Sequence, residues 1–153
     1  MRVVLGFVDN ASFNGSYNRN PYNFRHYDIS QVRIMIDGQQ QHVRPFEPNF
    51  ANNWYIREYM SLFEGVSKIG KDEGVDITRD DYAHGYTLFC WDLSPDQCDG
   101  GGGHMNLARD GTVRLDVRFN TALAGTINAV VYGEFENLIE IDKHKQVLID
   151  YTS

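Results

Sequence analysis

The sequence predicts an all-β fold, a single eight-stranded antiparallel jelly-roll sandwich with one short helix in a loop. The composition favours sheets, because nine Phe, nine Tyr and two Trp in 153 residues pack well on pleated surfaces. Short strand patterns are separated by turn residues, without the strand–helix–strand alternation of a parallel sheet. The length fits one domain over residues 1–153. A closed barrel remains an alternative, because the pattern specifies neither shear nor register.

A hairpin is predicted in the segment QVRIMIDGQQQHVR. Val32, Ile34 and Ile36 alternate with polar or longer residues before the turn. Asp37-Gly38 is a dipeptide that accepts the positive φ angles of a two-residue turn. This turn places Ile36 opposite the residue that follows the glycine, Gln39.

One helix is predicted in NNWYIREYMSLFEG, residues 52–65. Asn53 can cap its first turn, and Gly65 can take the left-handed conformation that ends it. The apolar stripe, which is typical of a core-facing surface, consists of Ile56, Met60 and Phe63, with Tyr59 and Leu62 beside it.

The remaining strands follow from period-two patterns. They are RVVLGFV (2–8), YTLFCWDL (86–93), TVRLDVRF (112–119), TINAVVYGEFE (126–136) and two strands in NLIEIDKHKQVLIDY (137–151), with residues 143–145 at the tip between them. The run at 86–93 is apolar on both faces, as expected of a strand between two packed layers. The run at 112–119 alternates, with Val113, Leu115, Val117 and Phe119 on one face and charged residues on the other.

The stretch DDYAHGYTLFCWDLSPDQC, residues 80–98, concentrates acids, a histidine and both cysteines. Asp80 and Asp81 are adjacent, so they point in different directions and do not form the facing carboxylate pair of a glycosidase. Thr78 and Asp81 instead have the spacing of a capping box, which predicts a single turn that ends at Gly85. The stretch is therefore interpreted as a turn, a core strand and a second turn.

Cys90 lies within a strand pattern and is expected to be a buried thiol that packs as a small apolar residue. A Cys90–Cys98 disulfide is the alternative. His84 and His104 do not combine with the two cysteines at the spacing of a structural zinc site. The run DGGGGH (99–104) lacks the flanking elements of a phosphate loop. We therefore expect no catalytic site, cofactor or metal.

The formal net charge of −7 and the pI near 5.1 disfavour nucleic-acid binding. No apolar stretch is long enough to span a bilayer, and the first residues lack the features of a signal peptide. The sequence therefore predicts a protein made inside the cell, with no membrane span.

Five long segments carry a family resemblance. They are GFVDNASFNGSYNRNPYNFRHYDI, YIREYMSLFEG, DYAHGYTLFCWDLSPD, NLARDGTVRLDVRFNTAL and NAVVYGEFENLIEIDKHKQVLIDY. They resemble, in the same order, the C-terminal part of the major capsid (hexon-like) proteins of Polinton/Maverick elements and adintoviruses, and related uncharacterised proteins in animal genomes. The resemblance implies half of a double jelly-roll capsid protein without enzymatic activity, located in the virion. Its implied partners are other capsid subunits, which form a homotrimer in the full-length protein.

The chain departs from that family in length, since it holds only one jelly roll's worth of residues. It is either a fragment of a longer product or a standalone, domesticated copy. The loop SFNGSYNRNPYNFRHY (12–27) has an interface-like composition, or else packs on its own sheet through its aromatic residues. Those residues are Phe13, Tyr17, Tyr22 and Phe24.

Two other functions remain open. The first is a carbohydrate- or peptide-binding module that uses Trp54, Tyr55 or Tyr22 as a stacking platform. The second is an enzyme on a β-sandwich scaffold, which requires a concave site that joins Asp80 or Asp81 to a histidine. The candidate histidines are His84 and His104.

Overall fold

The structure is a computed structural model that describes residues 2–41, 44–93, 111–134 and 139–149. Its strands are β1 (Arg2–Asp9), β2 (Ile29–Ile36), β3 (Gln39–Gln40), β4 (Leu88–Asp92), β5 (Val113–Phe119), β6 (Ile127–Glu134), β7 (Ile139–Ile141) and β8 (Val147–Ile149). Its helices are α1 (Asn10–Phe13), α2 (Ile56–Gly65) and α3 (Arg79–Ala83), with a 3₁₀ turn at Phe50–Asn52.

Six strands form two three-stranded sheets, and every pairing within them is antiparallel. The first sheet has the order β4-β1-β6, and the second has the order β3-β2-β5. β7 and β8 pair with each other as a separate hairpin. The predicted all-β class is thus confirmed.

The prediction of eight strands in one sandwich is wrong for the described residues. The two sheets contain six strands, and the two strands after β6 stand apart from both sheets. The prediction of one helix is also wrong, because the described residues contain three α-helices. α2 is not a loop helix, since it packs on β4 and covers the part of the first sheet's outer face around Cys90.

The main core lies between the two sheets. Its buried members come from β1, β2 and β4 and from the loop before α2, and they are Val3, Leu5, Phe7, Ile29, Val32, Ile34, Phe46, Phe89 and Trp91. A second cluster on the other face of the first sheet contains Cys90 of β4 together with Leu62, Tyr55, Tyr82 and Phe50. β4 is therefore buried on both faces, which confirms the interpretation of its two-sided apolar pattern.

The predicted hairpin turn is confirmed. Asp37 and Gly38 have φ angles of 51° and 78°, and Ile36 lies opposite Gln39. The carboxylate of Asp37 also accepts a hydrogen bond from the backbone N–H of Thr112 at 2.9 Å. The turn thereby ties the entry of β5 to the end of β2.

Both predicted ends of the helix α2 are wrong. Asn53 has a φ angle of 57° and ends the 3₁₀ turn, while Tyr55 occupies the N-cap position of α2 without a side-chain cap. Gly65 is the last helical residue, and its φ angle is not positive. The glycine is required for packing instead, because a Cβ atom at this position would overlap Sγ of Cys90.

The predicted core-facing stripe of α2 is confirmed at Leu62, Tyr59 and Phe63, which pack in the second cluster, but it is wrong at Ile56. The helix buries Glu58, Ser61, Leu62 and Gly65, whereas Ile56 is 53% exposed. Small residues at 61 and 65 let the helix backbone approach β4, and the Ser61 hydroxyl accepts a hydrogen bond from Cys90 N–H at 3.4 Å. Close approach to the sheet therefore decides the orientation of the helix more than side-chain apolarity does.

Candidate functional site

The turn at α3 has the predicted capping box. Thr78 Oγ1 accepts a hydrogen bond from Asp81 N–H at 3.1 Å, and Asp81 Oδ2 accepts one from Thr78 N–H at 3.1 Å. Hydrogen bonds from the side chain and backbone of Thr78 lower the pKa of the Asp81 carboxyl. The carboxylate at 81 thus has a structural role.

The described residues of the 80–98 stretch, which are 80–93, do not converge on one cleft. His84 Nδ1 lies 3.5 Å from Asp80 Oδ1, and both side chains are largely exposed to solvent. Cys90 is a buried thiol in the cluster beneath α2. Cys98, His104 and the glycine run at 100–103 lie outside the described residues. Asp80 and His84 therefore occupy a surface turn, away from the core thiol.

The proposed stacking aromatics lie in different environments. Trp54 is 71% exposed, and Tyr22 is also exposed. Tyr55 is only 4% exposed, because its ring stacks on those of Phe50 and Tyr82, with distances between ring centroids of 5.0 and 5.8 Å. The interpretation of Tyr55 as a platform is wrong, since its faces are covered by other rings.

The aromatic residues of the loop at 12–27 are mainly exposed. Phe13, Tyr17 and Tyr22 all point to solvent. Phe24 is partly buried, forms an isolated bridge with Tyr86 and lies against Gly6. The loop thus packs on its own sheet at Phe24 and presents its other three aromatic side chains outward.

A groove of about 500 Å³ opens beside Trp54. Its lining also includes Glu47, Asn53, Ile56, Arg57, Glu58 and Arg79. Arg57 donates hydrogen bonds to the carbonyls of Arg44 and Pro45 at 2.8 and 2.7 Å, so its guanidinium is fixed at the rim. Arg79 is held similarly by a 2.7 Å hydrogen bond to the carbonyl of Asn53.

Glu58 is the buried carboxyl of this groove. Its Oε1 accepts a hydrogen bond from Glu47 N–H at 3.0 Å. Burial raises the pKa of Glu58 above the ordinary glutamate value. The groove therefore combines an exposed indole, two anchored guanidiniums and one desolvated carboxyl, which is a set of groups able to orient a polar ligand.

A second feature is an incomplete core at the side of the sandwich formed by β5 and β6. Leu5 of β1 and Val131 of β6 are paired in the ladder, so both point into the space between the sheets. Leu5 is 0% exposed, whereas Val131 is 49% exposed. One strand spacing, about 4.8 Å, thus separates a fully buried position from a half-exposed one.

The second sheet has the same gradient. Val32 of β2 is buried, and its partner Val117 on β5 is only partly buried. Val113, at the start of β5 and opposite Ile36, is exposed. We call this surface the open edge, and define it by the inward-facing residues Val113, Leu115, Val117, Ala129 and Val131.

The outer face of β5 is charged, as its alternation predicts. Arg33 donates a hydrogen bond from Nε to Asp116 Oδ2 at 2.9 Å, and its Nη2 also contacts that oxygen. These hydrogen bonds lower the pKa of the Asp116 carboxyl. The open edge is thus an apolar strip with a charged surface on one side.

Among residues 2–41, 44–93, 111–134 and 139–149, no three His, Cys, Asp or Glu side chains cluster as a metal-ligand set. In the same ranges, no helix has the length and apolarity needed to cross a bilayer.

Sequence comparison gives one informative similarity. The chain is 30% identical over 152 residues to the uncharacterized protein F54H12.2 of Caenorhabditis elegans. The match covers 97% of this chain and 36% of the relative, so the chain spans about a third of that protein's length. No family model and no solved structure matches the chain.

The sequence did not reveal the open edge or the Trp54 groove. The alternation in 112–119 correctly identified the inward face of β5, but alternation does not report how completely a face is covered. The sequence indicated one member of the groove, the aromatic residue at 54. It did not indicate the two arginines at the rim, because Arg57 and Arg79 are brought together by the contact between α2 and α3.

Proposed function

We propose that this chain is a structural domain, the jelly-roll part of a virus-like or transposon-encoded major capsid protein that acts by subunit association. The observation that carries the proposal is the open edge, where inward-facing apolar side chains of both sheets remain half exposed. Soluble monomers rarely leave such a strip uncovered, and association with further polypeptide buries it.

The strand order supports a jelly roll. In that fold eight strands form antiparallel pairs, first with eighth, second with seventh, third with sixth and fourth with fifth. The roll then brings the third strand beside the eighth and the fourth beside the seventh. If β1 to β6 are strands three to eight, the pairings β1–β4, β2–β3, β1–β6 and β2–β5 all agree with this order.

The loop at 12–27 supports an association role independently of the edge. Its exposed aromatic residues, Phe13, Tyr17 and Tyr22, stand among Asn and Arg side chains, a composition enriched at protein interfaces. In this proposal the partners are other capsid subunits, with a homotrimer as the assembled unit of the full-length protein and the virion as its location.

The direct test is to size the full-length protein by light scattering and to image its assemblies by electron microscopy. We expect a discrete oligomer, and shells at high concentration. Tyr17→Ala should weaken association while leaving the unfolding midpoint unchanged, and Lys143→Ala on the β7–β8 turn is the matched surface control. A full-length protein that stays monomeric at every concentration would refute the proposal.

A carbohydrate- or peptide-binding module is the second candidate, and the Trp54 groove is the observation that favours it. Trp54 offers an exposed indole face for stacking, while Arg57 and Arg79 offer donors that are held in place. Saturable binding on a glycan or peptide array, lost in Trp54→Ala and kept in Tyr22→Ala, supports this function. The absence of any saturable binding would refute the binding-module function.

A further inference from the structure

Both sheets end at the open edge, on the same side of the main core. Among the strands that the structure describes, β6 has a single neighbour in the first sheet, and β5 has a single neighbour in the second sheet. The strands across from them, β1 and β2, hold fully buried residues such as Leu5 and Val32. Within residues 2–41, 44–93, 111–134 and 139–149, the core is thus closed on the β4 side, where Phe46 packs on Phe89 and Trp91, and open on the β5–β6 side.

The missing cover has a defined geometry. One strand beside β6 would cover Ala129 and Val131, and a second strand beside β5 would cover Val113, Leu115 and Val117. Each would add one strand to its sheet. The half-exposed residues would then lie one strand spacing inside the sheet edge, where their side chains are covered. In the jelly-roll order these are the first and second strands, which pair with the eighth and seventh.

We infer that the open edge receives two antiparallel strands from a segment of a longer polypeptide, outside this chain, that precedes β1 in chain order. This inference rests on the proposed jelly-roll domain. The strands should match β6 and β5 in length, eight and seven residues, and should alternate apolar and polar side chains with the apolar set turned inward.

Chain length supports a segment of the same polypeptide as the occupant. The relative from Caenorhabditis elegans is longer than the matched region, which makes up only 36% of it, so there is ample chain to supply two strands. The β7–β8 hairpin does not extend either sheet at this edge, since β7 and β8 pair with each other and not with β5 or β6.

Cysteine labelling at Val131 tests the inference. In this chain at low concentration, Val131→Cys should react rapidly with a maleimide, while Leu5→Cys, its ladder partner, should be protected. Peptide mass spectrometry separates these sites from Cys90 and Cys98. Lys145→Cys, on an exposed turn, is the control for full reactivity.

The decisive comparison uses the full-length Caenorhabditis elegans relative with cysteine at the position aligned to Val131. We expect labelling there to be slower by more than about tenfold than in this chain, because it then requires local opening of a paired strand. Equal labelling rates would overturn the inference. Protection that arises in this chain as its concentration is raised, together with dimers in light scattering, would identify a second copy as the occupant and would also overturn it.

The same samples separate this inference from the proposed function. If the full-length protein is protected at this position but remains monomeric, the result supports the two added strands and refutes the capsid role. If the full-length protein assembles but is labelled as fast as this chain, the result supports the capsid role and refutes the added strands.

Discussion

The contact between Gly65 of α2 and Cys90 of β4 gives the sharpest stability prediction. A Cβ atom at position 65 would overlap Sγ of Cys90 and lie 3.0 Å from its Cβ. Cys90 is buried and cannot move into solvent, and its neighbours in the cluster include Leu62 and Tyr82. Gly65→Ala is therefore an overpacking substitution in a closed site.

The expected magnitude follows from two opposing terms. Overpacking of a filled core costs about 1–3 kcal/mol, and overlap with a buried sulfur belongs at the upper end of that range. Alanine is favoured over glycine in a helix by about 1 kcal/mol. We therefore expect Gly65→Ala to reduce the free energy of unfolding by about 2 kcal/mol.

A double-mutant cycle identifies the cause. Cys90→Ala alone should cost about 1–2 kcal/mol, because it removes a buried sulfur. In the double variant the overlapping atom is absent, so the loss should be smaller than the sum of the two single losses by about 1 kcal/mol or more. Gly125→Ala is the control, since a Cβ atom there meets nothing within 4 Å.

Urea unfolding followed by tryptophan fluorescence is the assay, because Trp91 lies in β4 itself and is buried. The reasoning is refuted if Gly65→Ala is as stable as the unmodified chain. It is also refuted if the two single losses add within about 0.5 kcal/mol, the ordinary error of independent sites.

Three further predictions address the cap, a histidine and a buried hydroxyl. Thr78→Ala removes one half of the capping box and should cost about 1 kcal/mol in urea unfolding, whereas Thr78→Ser should retain most of the stability. Burial lowers the pKa of His26 below 6.5, and its Nδ1 accepts a hydrogen bond from Asp28 N–H at 2.9 Å. The native state thus binds fewer protons than the unfolded state, so the stability from His26 is present above pH 6.5 and is lost as the pH falls through the lowered pKa. His26→Gln should flatten this part of a pH–stability curve, and an unchanged slope would contradict the assignment. The hydroxyl of Tyr82 donates to the carbonyl of Leu88 at 3.0 Å, so Tyr82→Phe should cost about 1 kcal/mol or slightly more, measured in the same urea assay.

The local features of the fold could be predicted from the sequence. The Asp37-Gly38 turn, the capping box of Thr78 and the alternation along β5 each depend on residues within a few positions of one another. Turn dihedrals, short side-chain hydrogen bonds and the period of two along a strand are set by local sterics. These predictions are confirmed because no distant contact competes with them.

The helix α2 marks the limit of such reasoning. Apolarity favoured Ile56 for the core, but the tertiary structure buries Ser61 and Gly65, because a close helix–sheet contact at Cys90 admits only small residues. Asn53 likewise ends a 3₁₀ turn, Phe50–Asn52, which is flanked by a bridge between Asn49 and Trp54 that the helix pattern did not contain. Which face of a helix is buried depends on the shape of its partner, which lies elsewhere in the sequence.

By itself, then, the sequence determined the class of the fold, the inward faces of β2 and β5 and the turn at Asp37-Gly38. Only the tertiary structure decided that six of the described strands form two sheets, that α2 packs on β4, and that the inward-facing Val131 is half exposed. The physical reason is that a side chain's polarity selects the face on which it lies. The depth of its burial is set by neighbouring strands that are distant in sequence.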